Sequence, residues 1–245
     1  GVYLENKGTI KTSGNDSVAM TYKPTGAISG NAFQNDGKII MTGDRNTALY
    51  ATGATSTYTA VNNGEIIMGD TAVQKNPNVA LYTDNSNITL SNNTTGKITM
   101  GNNAIGFYGY NANNSGDITV GKGGIGIYSQ GGNINLTGGT IKTGEKSGNE
   151  ESVGVYTVGN GQTVTNSGTA FDFGKDSFGF VNVGTSNKIY SNVASTSLKD
   201  NNVYIYSNDT KGTVVNNTNI TSGAGAQTNY GIYSAGTVTN NANID

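Results

Sequence analysis

The chain has no cysteine, no histidine and no tryptophan, and only two prolines, Pro24 and Pro77. Without cysteine there is no disulfide frame and no thiolate metal site. Without histidine, Ser-His-Asp and Cys-His triads fall away, together with most zinc sites. Charge is also scarce. Charged residues make up 12% of the chain, against about 25% in ordinary domains. The formal net charge is -2 and the single arginine is Arg45. That excludes the dense basic surface that nucleic acid requires. Low net charge also argues against a solvated, disordered chain. No apolar run approaches the ~20 residues of a membrane-spanning helix, so no direct membrane insertion is expected of this segment. No signal-peptide pattern stands at Gly1; if the parent protein is exported, the targeting segment lies elsewhere.

What the chain does have is glycine, asparagine, threonine and serine. Glycine alone supplies 37 of 245 residues, about twice the usual share. With scattered Ile, Val and Tyr, this suits many short strands joined by tight turns.

Two motifs alternate along the whole sequence. The first is Asn-x-Gly-x-Ile-x-Met-Gly, seen in Asn62-Asn-Gly64-Glu-Ile66-Ile-Met68-Gly69 and, with Thr for Asn, in Thr94-Thr-Gly96-Lys-Ile98-Thr-Met100-Gly101. The second is an apolar pair around a small residue, closed by tyrosine. Examples are Val79-Ala80-Leu81-Tyr82, Ile105-Gly106-Phe107-Tyr108, Ile125-Gly126-Ile127-Tyr128 and Val153-Gly154-Val155-Tyr156. Two copies lack the tyrosine: Val18-Ala19-Met20-Thr21 and Phe178-Gly179-Phe180-Val181. A weaker apolar stretch lies between the motifs, as in Ile88-Thr-Leu90 and Ile134-Asn-Leu136. Nine intervals separate Tyr3 from Tyr233, about 26 residues each.

Three strands per repeat, with strict alternation in Lys97-Ile98-Thr99-Met100 and no 3.6-residue period, predict an all-β, right-handed parallel β-helix. About nine coils of ~26 residues would make a single rod of roughly 45 Å at the ~4.8 Å spacing of strands. Each coil buries its apolar residues against the coils above and below, so none is stable alone. The asparagine before each glycine turn is expected to stack into a ladder of amides. Neither end reads as a polar cap, so residues 1–245 are expected to be one uncapped piece of a longer protein.

Four stretches depart from the repeat: 22–32, 70–78, 144–151 and 192–202. Insertions in solenoids map to loops on one side, where recognition is often placed; the plain reading is a solvated turn, and a protruding recognition loop is the alternative. The copy at Gly168 carries its large residues one position late, in Thr169-Ala-Phe171-Asp-Phe173, which predicts a bulge near Thr169. In Ile125-Gly126-Ile127-Tyr128, alternation puts the two isoleucines on one face and Gly126 with Tyr128 on the other. Tyr82, Tyr108, Tyr128 and Tyr156 would then form an outer column leaning over Gly or Ala. Such a column is a candidate ligand-binding surface, since aromatic rings bind sugars and anchor protein partners. Stacking as plain architecture is the competing explanation.

An enzyme is the least supported class. A glycosidase needs two opposed carboxylates, and Asp172 and Asp176 are the nearest candidates. Arg45, in Gly43-Asp44-Arg45-Asn46, reads as a turn residue and not as a catalytic base. Gly131-Gly-Asn and Gly121-Lys-Gly-Gly124 lack the aspartate of calcium-binding rolls. No catalytic residue, metal site or cofactor is therefore expected.

The alternation of Asn-x-Gly-x-Ile-x-Met-Gly with Gly-Ile-Gly-Ile-Tyr resembles, over essentially the whole chain, the passenger repeats of the large type V autotransporter adhesins of fusobacteria. The resemblance implies a segment displayed on a bacterial cell surface and held by an outer-membrane barrel outside residues 1–245. It implies attachment to host cells or other bacteria through a receptor protein or glycan. The alternatives are a purely structural stalk and, further off, a polysaccharide lyase or glycosidase.

Overall fold

The computed structural model describes residues 3–53, 55, 57–72 and 75–245. Gly1-Val2 and part of the 70–78 interruption therefore lie outside the described residues. Among the described residues there are 28 strands and no helix. Strands pair, in parallel, with the strand one coil on, except that Ala170–Asp172 has no ladder to Ser195–Leu198, which forms a separate two-stranded sheet with Asn219–Ser222. The chain is a parallel β-solenoid with three faces. The right hand expected from the sequence is the one that strand twist favours for parallel crossovers.

The asparagine face has ten strands, from Leu4–Asn6 to Thr237–Asn240. Nine coil steps separate Asn6 from Asn240, about 26 residues per step. The second face holds the Ile-x-Met strands, seven of them from Thr9–Thr12 to Ala170–Asp172. The tyrosine face has nine, from Val18–Tyr22 to Tyr230–Ser234.

The core follows from alternation. In Glu65–Met68, Ile66 and Met68 are buried while Glu65 and Ile67 face out; Lys97–Met100 repeats the pattern. Ile39, Ile66, Ile98, Ile118 and Ile141 stack directly on one another through the register, and all are essentially solvent-free. Each such side chain contributes about 1.5–3 kcal/mol by leaving water.

The corner after the asparagine-face strands is polar, and its amides are bonded. Asn6 donates to Asn35 at 2.7 Å, Asn35 to Asn62 at 2.8 Å, Asn62 to Asn92 at 2.9 Å and Asn92 to Asn114 at 3.1 Å. Each of these amides also reaches a backbone carbonyl of a corner. Leu136 interrupts the ladder, and there Asn114 turns its amide to the carbonyls of Gly116 and Gly138. The sequence reading found only this ladder. A second polar stack precedes the tyrosine strands, where buried Asn46 and Asn78 bond in turn (Asn46 N–H to Asn78 Oδ1, 2.7 Å). A third follows those strands, with Thr83, Ser129, Thr157, Asn182 and Ser207 all buried. At this third corner burial pushes the Asp209 carboxyl up. Hydrogen bonds from the Asn187, Lys211 and Ser186 backbone and from the Asn182 amide outweigh that and hold it below the usual range.

Two expectations are corrected. The stretch 192–202 is not an interruption. Ser195–Leu198 is a regular rung that pairs with Asn219–Ser222 and buries Thr196 and Leu198. Its sequence carries neither motif, because Ala194 replaces the turn glycine and Thr-Ser-Leu replaces Ile-x-Met. The faces of the tyrosine strands also differ from simple alternation. Register passes from Ile105↔Ile125 to Phe107↔Ile127 and skips the glycine between. There the backbone turns both the small residue and its successor inward: Ala48, Ala80, Leu81 and Ile127 all join the main core. A Cβ on Gly126 would lie 3.3 Å from the core methyl Cγ2 of Ile141. The first isoleucine and the tyrosine are left together outside.

The irregular copy at Gly168 keeps register, with Ile141↔Phe171. Its extra residue, Thr169, is buried in the corner, where the Asn166 side chain accepts its N–H at 2.9 Å.

Candidate functional site

One face of the rod carries a continuous ring stack. Register aligns Thr21, Tyr50, Tyr82, Tyr108, Tyr128, Tyr156, Val181, Tyr206 and Tyr233. Ring centroids are 5.0 Å apart for Tyr50–Tyr82, 5.6 Å for Tyr82–Tyr108, 4.8 Å for Tyr108–Tyr128 and 5.4 Å for Tyr128–Tyr156. The last two pairs are near-parallel, at 11° and 16°. All four tyrosines singled out from the sequence, Tyr82, Tyr108, Tyr128 and Tyr156, stand in this stack and are half-buried.

The rings do not lean over Gly or Ala. They cover a separate outer strip of Val79, Ile105, Ile125 and Val153. That strip is the first apolar residue of each motif, left outside by the inward turn described above. Burial raises the phenols of Tyr82, Tyr128 and Tyr156, and neighbouring tyrosines raise them further. The hydroxyls therefore stay protonated at neutral pH and serve as hydrogen-bond donors. Tyr50 already does so, to Asp84 at 2.8 Å. Within the stack each ring face is covered by its neighbour. What the column offers to solvent is ring edges and hydroxyls.

The loops beside this face have a structural rule. In seven of the nine tyrosine-face coils, the residue two before the position in register with Ile125 takes a left-handed conformation: Asp16, Arg45, Asn103, Gly123, Asp176, Asn201 and Thr228 all have φ between 52° and 65°. Two coils depart from it. Pro77 holds the equivalent place before Val79, and proline is locked at negative φ; Glu151 holds it before Val153. These are the coils that carry the 70–78 and 144–151 interruptions. Both loops thus replace one tight corner and emerge at the edge of the tyrosine face. Lys75, Asn76 and Pro77 border a cleft with Tyr82 and Tyr108. The 144–151 loop closes on itself through Ser147↔Glu150 and a 2.9 Å Lys146–Glu151 ion pair. The 22–32 stretch leaves at a different corner, after the tyrosine-face strand Val18–Tyr22.

Asp172 and Asp176 have separate partners. Asp172 ends its strand between Lys199 at 2.8 Å and Lys142 at 3.8 Å. Asp176 sits in the left-handed corner and accepts from Asn201. Arg45 is held by Asp16 through two hydrogen bonds, 2.7 and 2.8 Å, and by Asp44. Asp16 is lowered from the ordinary carboxylate value by its hydrogen bond from Arg45. Among the described residues no three acidic side chains gather into a cation site. No family model, curated protein or solved structure matches the chain.

Proposed function

We propose that this chain is a segment of a bacterial surface adhesin. In this reading a rod of coils is carried on the cell by an outer-membrane barrel outside residues 1–245. It attaches to host cells or partner bacteria through a receptor protein or glycan. The observation that carries the reading is the tyrosine column with its two flanking loops. Five consecutive aromatic rungs, Tyr50 to Tyr156, line one side of the rod. Both loops that break the corner rule open onto that same side. Aromatic side chains of this kind are the usual anchors of protein recognition. The reading assigns no catalysis to the chain, in keeping with the lysine-paired state of Asp172.

A stalk is the second reading. It is favoured by the way the rings cover their own apolar strip, which gives them a purely architectural task. Fluorescently labelled protein applied to epithelial cells and to other bacteria separates the two. The adhesin reading expects saturable binding. A stalk gives background binding at every concentration.

A further inference from the structure

The tyrosine column has one internal gap, at Val181. On one side of it, Tyr156 stacks on Tyr128. On the other, Tyr206 stacks on Tyr233 at 5.1 Å and 6°. Val181 is the rung between them. Tyr156 and Tyr206 are therefore two coil spacings apart, about 9.6 Å at ~4.8 Å per coil. No tyrosine ring stands in the column between Tyr156 and Tyr206. The gap opens as a cleft of about 340 Å³. Val153 and Val181 form its floor. Phe178 walls it, edge-on to Tyr206 at 83°. The charged group at its rim is Glu151, whose carboxylate pairs with Lys146.

Two ring spacings leave room for one inserted ring, at the separation that the other rungs keep. The column's own periodicity thus gives the vacancy the shape of a flat aromatic side chain. An aliphatic side chain in the vacant rung would stack on neither ring. A sugar ring needs polar partners around its whole rim, and this cleft has polar atoms at its mouth, on Glu151 and the two tyrosine hydroxyls, over an apolar floor of two valines and the Phe178 wall. We propose that the Val181 cleft binds a single aromatic ring bearing a hydrogen-bond donor, the side chain of a tyrosine or tryptophan on a partner protein, with the donor directed to Glu151. The inference rests on the adhesin reading of the tyrosine face and specifies the chemistry of its partner. Desolvated aromatic anchors of this size are typical binding hot spots.

The test titrates N-acetyltryptophanamide and N-acetyltyrosinamide into the intact chain, with its valine methyls labelled for NMR. N-acetylleucinamide and methyl glucopyranoside serve as comparison probes. The two aromatic probes should shift the Val153 and Val181 methyl resonances through ring current, saturably, with Kd on the order of 1 mM. The comparison probes should leave them in place. Val181→Tyr fills the rung with the residue its neighbours already carry. It should weaken the response at Val153 at least tenfold, and Tyr206→Leu should do the same by removing one wall. The proposal is overturned if the aromatic probes cause no shift, if leucinamide or the glucoside shifts the same methyls equally, or if Val181→Tyr responds like the parent. Cell binding is read separately. Probe binding without cell binding removes the adhesin reading alone. Cell binding that Val181→Tyr leaves undiminished removes the cleft from recognition and leaves that reading intact.

Discussion

Replacing Tyr204 with alanine is expected to cost ~3–5 kcal/mol of stability, the usual range for emptying a large aromatic site. Tyr204 occupies the position where other coils carry Ala48, Ala80, Gly106, Gly126, Gly154 or Gly179. That position points inward, so this tyrosine is completely buried. Its ring is packed edge-on against Phe171, Phe173 and Phe180, with centroids 5.6–6.3 Å away. Room for it comes from its neighbours. A Cβ on Gly179 would stand 3.1 Å from its Cδ2. Ser191 replaces the ladder asparagine across the core and meets the Tyr204 hydroxyl at 2.7 Å. The interruption of the asparagine ladder at Ser191 and the inward tyrosine are thus one exchange. Tyr204→Phe should cost only about 1 kcal/mol, since Ser191 and Thr218 still bond each other at 2.6 Å. Urea unfolding of the two variants checks both values. A small loss for Tyr204→Ala would mean that the aromatic cluster is not packed as described.

Asn92→Ala is expected to be nearly as damaging, at about 3 kcal/mol, although it deletes little apolar area. Asn92 is solvent-free. It accepts from Asn62 and donates to Asn114, to the Gly96 carbonyl at 3.3 Å and to the Asp117 carbonyl at 3.3 Å. Its removal orphans the Asn114 carbonyl and weakens two corner carbonyls, at ~1–3 kcal/mol for each buried group left unpaired. Asn92→Asp should be at least as destabilising at neutral pH. Its volume is preserved, but a buried carboxylate would face three acceptors with no donor to offer them. The lesion also sits mid-rod. In a fold where each coil contacts only its neighbours, weakening one coil separates the two halves. Urea unfolding of Asn92→Ala should therefore broaden toward two transitions, while the parent shows one. A sharp single transition with an unchanged midpoint would count against a continuous ladder.

The repeat period, the three strands per coil and the first asparagine ladder were legible in the sequence because each rests on a recurring residue at a fixed place. Ile66 and Met68 announce their face by alternation alone. The second and third polar stacks were not legible. Their places are filled by several small polar types: Asn46 and Asn78 at one corner, Thr83, Ser129 and Asn182 at another. The left-handed corner was hidden for a similar reason. Asp16, Asn103 and Gly123 favour positive φ, but Arg45 and Thr228 do not, so no single residue type marks it. Within the candidate site, the four tyrosines could be named in advance, yet their floor could not. That required the register skip at the glycine, which transfers Ile125 from the core to the outer strip. Val203-Tyr204-Ile205-Tyr206 shows the same limit: two tyrosines in one motif, of which only register tells the inward from the outward. The missing rung at Val181 was visible as a copy without tyrosine. That it leaves a vacant rung between two stacks follows only from the stacking of Tyr156 and Tyr206 with their neighbours.

The central claim is that the coils are scaffold and that recognition lies on the tyrosine face. The most direct measurement is cell attachment by a variant in which Tyr82, Tyr108, Tyr128 and Tyr156 are all serine, compared with the parent and with a chain whose 144–151 loop is shortened to a tight corner. Circular dichroism first establishes that the β-solenoid is retained. The account predicts that the serine variant loses attachment by at least tenfold while its strand content stays unchanged. Attachment equal to the parent's, on an intact fold, would contradict it.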